Sequence, residues 1–320
     1  MKKNKIKDTG LEVTELSFGT SSLGSMPDTY GYEVPEDRAQ KTLNRFFQGP
    51  VNMLDTSRNY AMGESEKRIG KAIKENGGWP NGFLLSTKLD RNMDTLVLDK
   101  NRVRESFEES LKTLNVDSVD ILFLHDPEYA KDITDITKKD GAMDELFKIK
   151  NEGLAKAAGV AMGKVDIMFP LLKDWDFDVI INHNRYTLIN REANEMYDYA
   201  SSKNIAIFNA APYAGGVLAK GPDNFKKITY QDATEEKLAP AREFEKVCKK
   251  HNVELGAAAL QFSLRDNRIT STICGVTSVE SIEKNLAWAN AEISGEFWDE
   301  VLKLPFSSND PESDRVFTAG

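Results

Sequence analysis

The run Val119-Asp120-Ile121-Leu122-Phe123-Leu124-His125 decides how the fold is read. It is apolar at nearly every position, the pattern of a strand covered on both faces in a parallel sheet, and it closes on an ionisable residue. Two earlier runs behave alike. Val51-Asn52-Met53-Leu54 ends at Asp55, and Phe83-Leu84-Leu85-Ser86-Thr87 ends at Lys88. Working outward, similar short runs occupy 16–20, 157–161, 179–183, 206–210 and 269–274, which makes eight in all. Amphipathic stretches at helical spacing lie between them: Ala39, Leu43, Phe46 and Phe47; Val103, Phe107, Leu111 and Leu114; Ala193, Met196, Tyr197 and Ala200; Ile282, Leu286 and Ala289. Asn190 and Ser278 occupy N-cap positions, and Gly77-Gly78 and Gly153 occupy C-cap positions.

Strand then helix, repeated, means either a closed (β/α)8 barrel or an open doubly wound sheet. The count of eight favours the α/β barrel, the TIM-barrel architecture, and no Gly-x-Gly-x-x-Gly follows the first run to mark an open dinucleotide-binding sheet. A length of 320 residues fits one such barrel domain. Residues 5–6 and 11–13, around Asp8-Thr9-Gly10, read as an N-terminal β-hairpin that plugs the bottom. The longest gap, 211–268, holds a loop expected to overhang the site and two helical stretches. Residues 294–304 read as an additional C-terminal helix, and the tail from about 306, rich in Ser, Asp and Glu, as loose.

Composition narrows the function. The net charge of −9 and pI of about 5.1 argue against a nucleic acid or an anionic membrane as partner. Two cysteines, Cys248 and Cys274, suit a reducing cytoplasm rather than a disulfide framework. The basic N-terminus is followed by no apolar stretch, and no run approaches the ~20 apolar residues of a membrane span. There is no His-Glu-x-x-His motif and no paired cysteines, so no metal is expected. Gly-x-Ser-x-Gly and Gly-Lys-Ser/Thr are also missing. Asp126 and Glu128 beside His125 read as solvated loop carboxylates.

In such barrels the active site lies at the C-terminal ends of the strands. Three neighbouring strands would each bring an ionisable group, Asp55, Lys88 and His125, to that rim, and Tyr60 follows Asp55 by five residues. Singly, each has an ordinary reading as a turn cap, a solvated amine, a packing imidazole or a rim aromatic. Together they form an acid–base set. A free phenol titrates near ~10. A neighbouring ammonium is expected to lower that value, with Asp55 fixing Lys88 and His125 orienting a substrate oxygen. Tyr60 then gives or takes the proton, and a cofactor must supply the hydride.

Asp55-Thr56-Ser57-Arg58-Asn59-Tyr60-Ala61-Met62-Gly63-Glu64-Ser65-Glu66, Lys88 after the third strand, and the run 119–125 together resemble the signatures of the aldo-keto reductase family. Gly19-Thr20-Ser21 and Gly275-Val276-Thr277-Ser278-Val279-Glu280-Ser281-Ile282-Glu283-Lys284-Asn285 resemble its nicotinamide-side and adenine-side segments. The resemblance extends over about 10–305. It implies a (β/α)8 fold, NAD(P) dependence without metal, and the catalytic tetrad Asp55, Tyr60, Lys88 and His125. His125-Asp126-Pro127-Glu128, Asn184-Arg185-Tyr186-Thr187-Leu188 and Asn209-Ala210-Ala211-Pro212 look most like the branch of aldose (fucose, arabinose, galactose) 1-dehydrogenases and pyridoxal dehydrogenase. That branch implies oxidation of a cyclic hemiacetal to a lactone.

Several cofactor positions depart from the commoner members. Gly159-Val160-Ala161-Met162 stands where many carry a Ser-Asn pair, and His183 stands where Gln is usual; it reads equally as a carboxamide partner or as packing. At about Ala210, beside Tyr213, many place an aromatic ring on the nicotinamide. Gly215 and Gly216 suit close approach of a pyrophosphate or simply a turn. Relatives that prefer NADP often carry Lys, Ser and Arg where this chain has Gly275, Val276 and Ser281, which favours NAD while leaving NADP open through Lys284, Lys220, Lys226 or Lys227. Thr277 belongs to the same segment, and Asn285 reads as an adenine contact or a polar helix residue. Tyr30, Tyr32, Tyr129 and Tyr213 are candidate pocket aromatics. Three functions compete: an NAD-linked sugar dehydrogenase, an NADPH aldehyde or ketone reductase, and a non-catalytic nicotinamide-binding subunit. The four matched catalytic positions count against the last.

Overall fold

The computed structural model describes residues 1–313 and Arg315. The eight apolar runs form a closed parallel barrel of strands β3 (Leu16–Gly19), β4 (Met53–Asp55), β5 (Leu84–Leu89), β6 (Val119–His125), β7 (Ala155–Met162), β8 (Val179–His183), β9 (Ala206–Ala210) and β12 (Ile269–Gly275). The strands neighbour one another in chain order, and β12 closes on β3. Before them β1 (Lys3–Ile6) and β2 (Leu11–Thr14) make the expected hairpin, and β10 (Lys227–Ile228) with β11 (Gln231–Asp232) makes a small one in the long gap.

The core has two parts. Inside the barrel, Met53, Leu84, Ile121, Phe123, Ala157, Ala161, Val179, Ile181, Ala206, Phe208 and Ile273 meet Ile6, Leu11 and Val13 of the hairpin. Burying each large aliphatic side chain stabilises by about 1.5–3 kcal/mol, so three of them hold the hairpin as a plug. Outside, alternate strand residues such as Leu54, Leu85, Leu122 and Leu124 pack against the helices, with Ala39, Leu43, Phe46, Val103, Phe107 and Leu114 from the first and third interstrand segments. This alternation has period two, and it aims the site. Asp55 follows inward Met53 by two positions, Lys88 follows Leu84 by four, His125 follows Phe123 by two and His183 follows Ile181 by two. All four therefore enter the mouth.

Ser278 caps the helix Val279–Ala289 through a capping box with Ser281, and Ser294 caps Gly295–Val301, the C-terminal helix. Gly77 and Gly153 take positive φ just past their helices, as C-cap glycines do. Asn190 is not the N-cap expected of it. The helix Asn194–Ser202 begins further on, and Asn190 instead pairs with Ser307 and donates to the Asn309 carbonyl. That contact also corrects the tail. Phe306 stacks on the Arg191 guanidinium, Arg185 binds Asp310 and Glu312, and Thr229 Oγ1 donates to the Pro311 carbonyl. Residues 306–313 are thus docked on the barrel, because a buried arginine supplies the countercharge for an acidic segment. The rest of the expected loose tail, Asp314 and 316–320, lies outside the described residues. No helix among the described residues is long and apolar enough to cross a membrane.

Candidate active site

At the strand C-termini the side chains of β4, β5 and β6 converge. Lys88, 1% exposed, donates to Asp55 Oδ2 at 2.7 Å, to the Thr56 carbonyl at 2.6 Å and to Tyr60 Oη at 3.0 Å. Ser86 donates to the other Asp55 oxygen at 2.6 Å, so the carboxylate is held on both sides. Tyr60 sits in a turn whose next residues, Ala61 and Met62, both take left-handed φ, and this strained turn folds the ring back over Lys88. The His125 ring stands 5.7 Å from the Tyr60 ring, edge to face. The four expected catalytic residues are brought together.

The net shift on Tyr60 is opposite to the one expected: burial, with Asp55 next in size, pushes the phenol well above its ordinary value and outweighs the Lys88 ammonium 3.0 Å away. Burial alone would lower His125, but Asp126 and Asp90 and the hydrogen bond to Asp90 raise it. Asp90, with Ser57 behind it, was not foreseen; the signal was a polar residue two positions past Lys88, with the inward parity of that lysine.

Asp126 and Glu128 are not the solvated carboxylates expected. Glu128 Oε1 accepts from the backbone of Gly163 at 3.0 Å and Lys164 at 3.4 Å, the entry of the helix Val165–Asp174. Asp126 lies between His125 and His183. His183 is no core packing residue: it faces Asp126 and Glu312 in the mouth, and burial holds its pKa below the ordinary value. Among the described residues no cluster has the makings of a metal site.

The expected cofactor residues line the loops after β3, β9 and β12. Gly19 pairs with Gly275, Thr20 Oγ1 donates to the Asp55 carbonyl at 3.0 Å, and Ser21 Oγ lies 2.6 Å from Tyr30 Oη. Gly215 and Gly216 take φ 75° and 123°, and a Cβ on Gly215 would come within 2.9 Å of the Thr229 and Tyr230 nitrogens. The absence of a side chain at Gly215 thus lets the turn of the β10–β11 hairpin pack directly on the loop after β9. Gly275 opens on space, with nothing within 4 Å of an added Cβ, while Val276 is buried. Ser281 Oγ is committed to the Thr277 and Ser278 amides at 2.9 and 3.0 Å. Tyr213 turns away from the mouth: its hydroxyl meets Asn285 and Cys274, and its ring packs on Trp288. Asn285 is likewise occupied, its nitrogen donating to the Ser281 carbonyl at 2.7 Å.

Aromatics close the mouth. Tyr30 stacks on Tyr32 and meets Tyr230 edge to face at 5.8 Å. Tyr230 comes from the two-residue turn between β10 and β11, where Thr229 and Tyr230 both take positive φ. The long gap does overhang the site, through this hairpin.

The model of the family described as aldo/keto reductases matches residues 15–304. L-galactose dehydrogenase of Arabidopsis thaliana is 31% identical over 284 residues, 88% of this chain and 85% of its own. D-threo-aldose 1-dehydrogenase of a Pseudomonas species is 27% identical, over 92% of this chain and 94% of its own, and pyridoxal 4-dehydrogenase of Microbacterium luteolum 26%, over 92% and 95%. Among solved structures, an aldo-keto reductase of Bacillus halodurans in its holo form superposes with a TM-score of 0.79 at 22% identity, covering 99% of this chain and 100% of that one. A glycerol dehydrogenase of Gluconobacter oxydans gives 0.72 at 21%, covering 93% of each. These two likenesses concern the fold.

Proposed function

The chain belongs to the aldo/keto reductase family, and on that premise we propose that it oxidises the hemiacetal hydroxyl of an aldose to a lactone with NAD. As a family member it is an oxidoreductase of the alcohol–carbonyl pair that works with a nicotinamide cofactor. The observation that carries the reading is the contact chain from Tyr60 Oη to Lys88 Nζ, 3.0 Å, and on to Asp55, 2.7 Å, with His125 across the same mouth.

Tyr60 Oη exchanges the proton with the reacting oxygen, accepting it in oxidation and donating it in reduction. Lys88 holds the phenol in place, and Asp55, gripped by Ser86, keeps the ammonium buried and aimed. His125 Nδ1–H donates to the Asp90 carboxylate, so Nε2 donates to the same oxygen when the ring is the imidazolium, the form that Asp126 and Asp90 favour by raising its pKa. The loops carrying Gly19, Thr20, Ser21, Gly215, Gly216, Gly275 and Thr277 would hold the cofactor, which supplies two-electron chemistry as hydride acceptor or donor. NAD is favoured because Gly275, Val276 and Ser281 offer no cation for a 2′-phosphate and Glu280 stands in the adjoining helix turn. Lys284 lies over the Trp288 ring, Lys226 is paired with Glu235, and Lys220 lies over Tyr32 and Phe225. The aldose assignment is supported by the relatives named for galactose and threo-aldose oxidation. The two unpaired thiols support a cytoplasmic setting.

The test is a panel of aldoses and pyridoxal with NAD and with NADP, followed by formation of reduced nicotinamide and of lactone. Lactone formed with NAD from at least one aldose is expected; no oxidation of any sugar would overturn the assignment. A second reading is reduction, since burial and Asp55 raise the Tyr60 phenol and so favour its proton-bearing form, the donor of a carbonyl reductase. Reduction of simple aldehydes outrunning every sugar oxidation would establish that direction.

A further inference from the structure

The barrel mouth carries a second polar cluster, on the side of β6 and β8, that the catalytic chain leaves unused. Asp126 follows His125 with φ 44°, in the left-handed region that Asp and Asn enter more readily than other non-glycine residues. Its Oδ2 lies 3.8 Å from His125 Nε2 and its Oδ1 4.0 Å from His183 Nε2. On the other side of that ring, His183 Nδ1 is 3.8 Å from Glu312 Oε2, and Glu312, 4% exposed, is drawn into the mouth by Arg185 and accepts at its other oxygen from Arg315 at 2.6 Å. Asn184, 1% exposed, sets its amide nitrogen 3.3 Å from the same Nδ1.

The hydrogen-bond accounting of this cluster is one-sided. Arg185 Nε and Glu192 Oε2 lack hydrogen bonds, but they face each other at 3.8 Å. Three buried atoms remain without a partner among the described residues: Asp126 Oδ1, Glu128 Oε2 and Asn184 Oδ1. All three are acceptors. The carboxylates are also crowded: burial and then Asp126 push Glu128 up to about 7, and burial and then Asp310 push Glu192 up to about 7. Buried acceptors without donors are costly unless something that enters the site supplies the donors.

We propose that this carboxylate-rich wall, whose unpartnered buried atoms are all acceptors, is a charge filter, which takes substrates whose groups beside the reacting centre are hydroxyls or a cationic amine and turns away those bearing carboxylate or phosphate. The inference deepens the proposed function and rests on the mouth being where substrate binds. A hydroxyl or ammonium donates to such a wall; a carboxylate or phosphate brings only lone pairs and a like charge into a site of low dielectric. Among aldoses, neutral sugars and amino sugars enter, and uronic acids and sugar phosphates do not.

The test uses benzaldehydes matched in shape, carrying a neutral, a carboxylate or a quaternary ammonium substituent, reduced with NADH, alongside the aldose panel. Alcohols of the same three kinds, scored by inhibition constant, give the same ordering where turnover is slow. The carboxylate compound is expected to fall at least about tenfold below the neutral one in kcat/KM, with the ammonium compound at or above it. In Glu312→Gln the gap should shrink several-fold, since Arg185 loses one of its two closest countercharges; Asp126→Asn serves if that variant does not fold. Equal values for the three aldehydes, or a preference for the anion, overturns the filter. Charge ordering without sugar oxidation overturns the aldose assignment alone, and sugar oxidation without charge ordering overturns the filter alone.

Discussion

Asp90 Oδ1 lies 2.6 Å from His125 Nδ1, and this contact fixes the nitrogen that the imidazole turns to the barrel mouth. Asp90 is fully buried, and its other oxygen accepts from Ser57 Oγ at 2.6 Å and the Asn59 amide at 3.0 Å. Burial would raise its carboxyl, yet His125 and these bonds hold it below the ordinary range. His125 is raised in return, despite a burial effect of opposite sign. A raised histidine contributes stability that is full below its ordinary value, about 6.5, and is lost as pH climbs through the raised value. The lowered Asp90 contributes above its ordinary value, about 3.9, and loses that as pH falls through the lowered one. Asp90→Asn is therefore expected to lower the His125 titration followed by NMR. Its deficit in thermal stability should be widest at mildly acidic pH and narrow as pH rises past neutrality. A deficit independent of pH would mean Asp90 acts through packing alone.

The Tyr60 phenol, its pKa raised by burial and by Asp55, makes the two directions of the reaction depend on pH differently. Reduction needs the protonated form, so its kcat/KM should stay level through neutral pH and fall only in the alkaline range. Oxidation needs the proton gone, so its rate should rise steadily into the alkaline range. Tyr60→Phe should lower kcat by about 10²–10⁴-fold in both directions and abolish the alkaline rise. NADH affinity, measured by ligand fluorescence, should hold near the wild-type value. An oxidation rate that levels off near neutrality would assign the proton transfer to another group.

Much of this is legible in the sequence. Strand parity made the site readable: Met53 to Asp55, Leu84 to Lys88 and Phe123 to His125 each keep one face, so apolar runs ending in ionisable residues announced a rim. The illegible parts are contacts made at long range. Nothing near Arg185 in sequence reveals that its partners are Asp310 and Glu312, more than 120 positions on. The acidic tail looked like solvated chain because its countercharge lies inside the barrel mouth. The turn at Thr229-Tyr230 was equally hidden, since its two positive φ angles occur without the Asn-Gly or Asp-Gly pair that usually marks such hairpins. Even the Tyr60 pKa depended on depth of burial, which spacing alone does not supply.

Lys88 and Asp55 are both almost entirely buried, and among the described residues each is the other's only ion-pair partner. Removing one leaves the other as a buried charge without a partner, and breaking a buried pair in this way typically costs about 3–5 kcal/mol. Lys88→Met should therefore lose stability in urea unfolding as well as activity, whereas Tyr60→Phe should lose activity with little change in stability. The double variant Lys88→Met with Asp55→Leu should recover much of the stability and none of the turnover. Equal stability of Lys88→Met and wild type would mean that Asp55 takes up a proton at little cost.

The tail is held by Arg185, which is buried and meets Asp310 at 2.6 Å and Glu312 directly, while Arg191 lies 3.9 Å from the Phe306 ring centroid. These contacts also set Glu312 against His183 and the Pro311 carbonyl against Thr229 beside Tyr230. Arg185→Leu removes the countercharge of both carboxylates at once, so the segment from Ser307 should detach and solvate. Limited proteolysis should then cut near 307–313 in the variant and leave the wild type intact there. KM for the substrate should rise while cofactor binding stays close to normal, because Gly215, Gly216 and Gly275 lie on other loops. If Arg185→Leu resists cleavage as the wild type does, the packing of Phe306 on Arg191 holds the segment without the ion pairs.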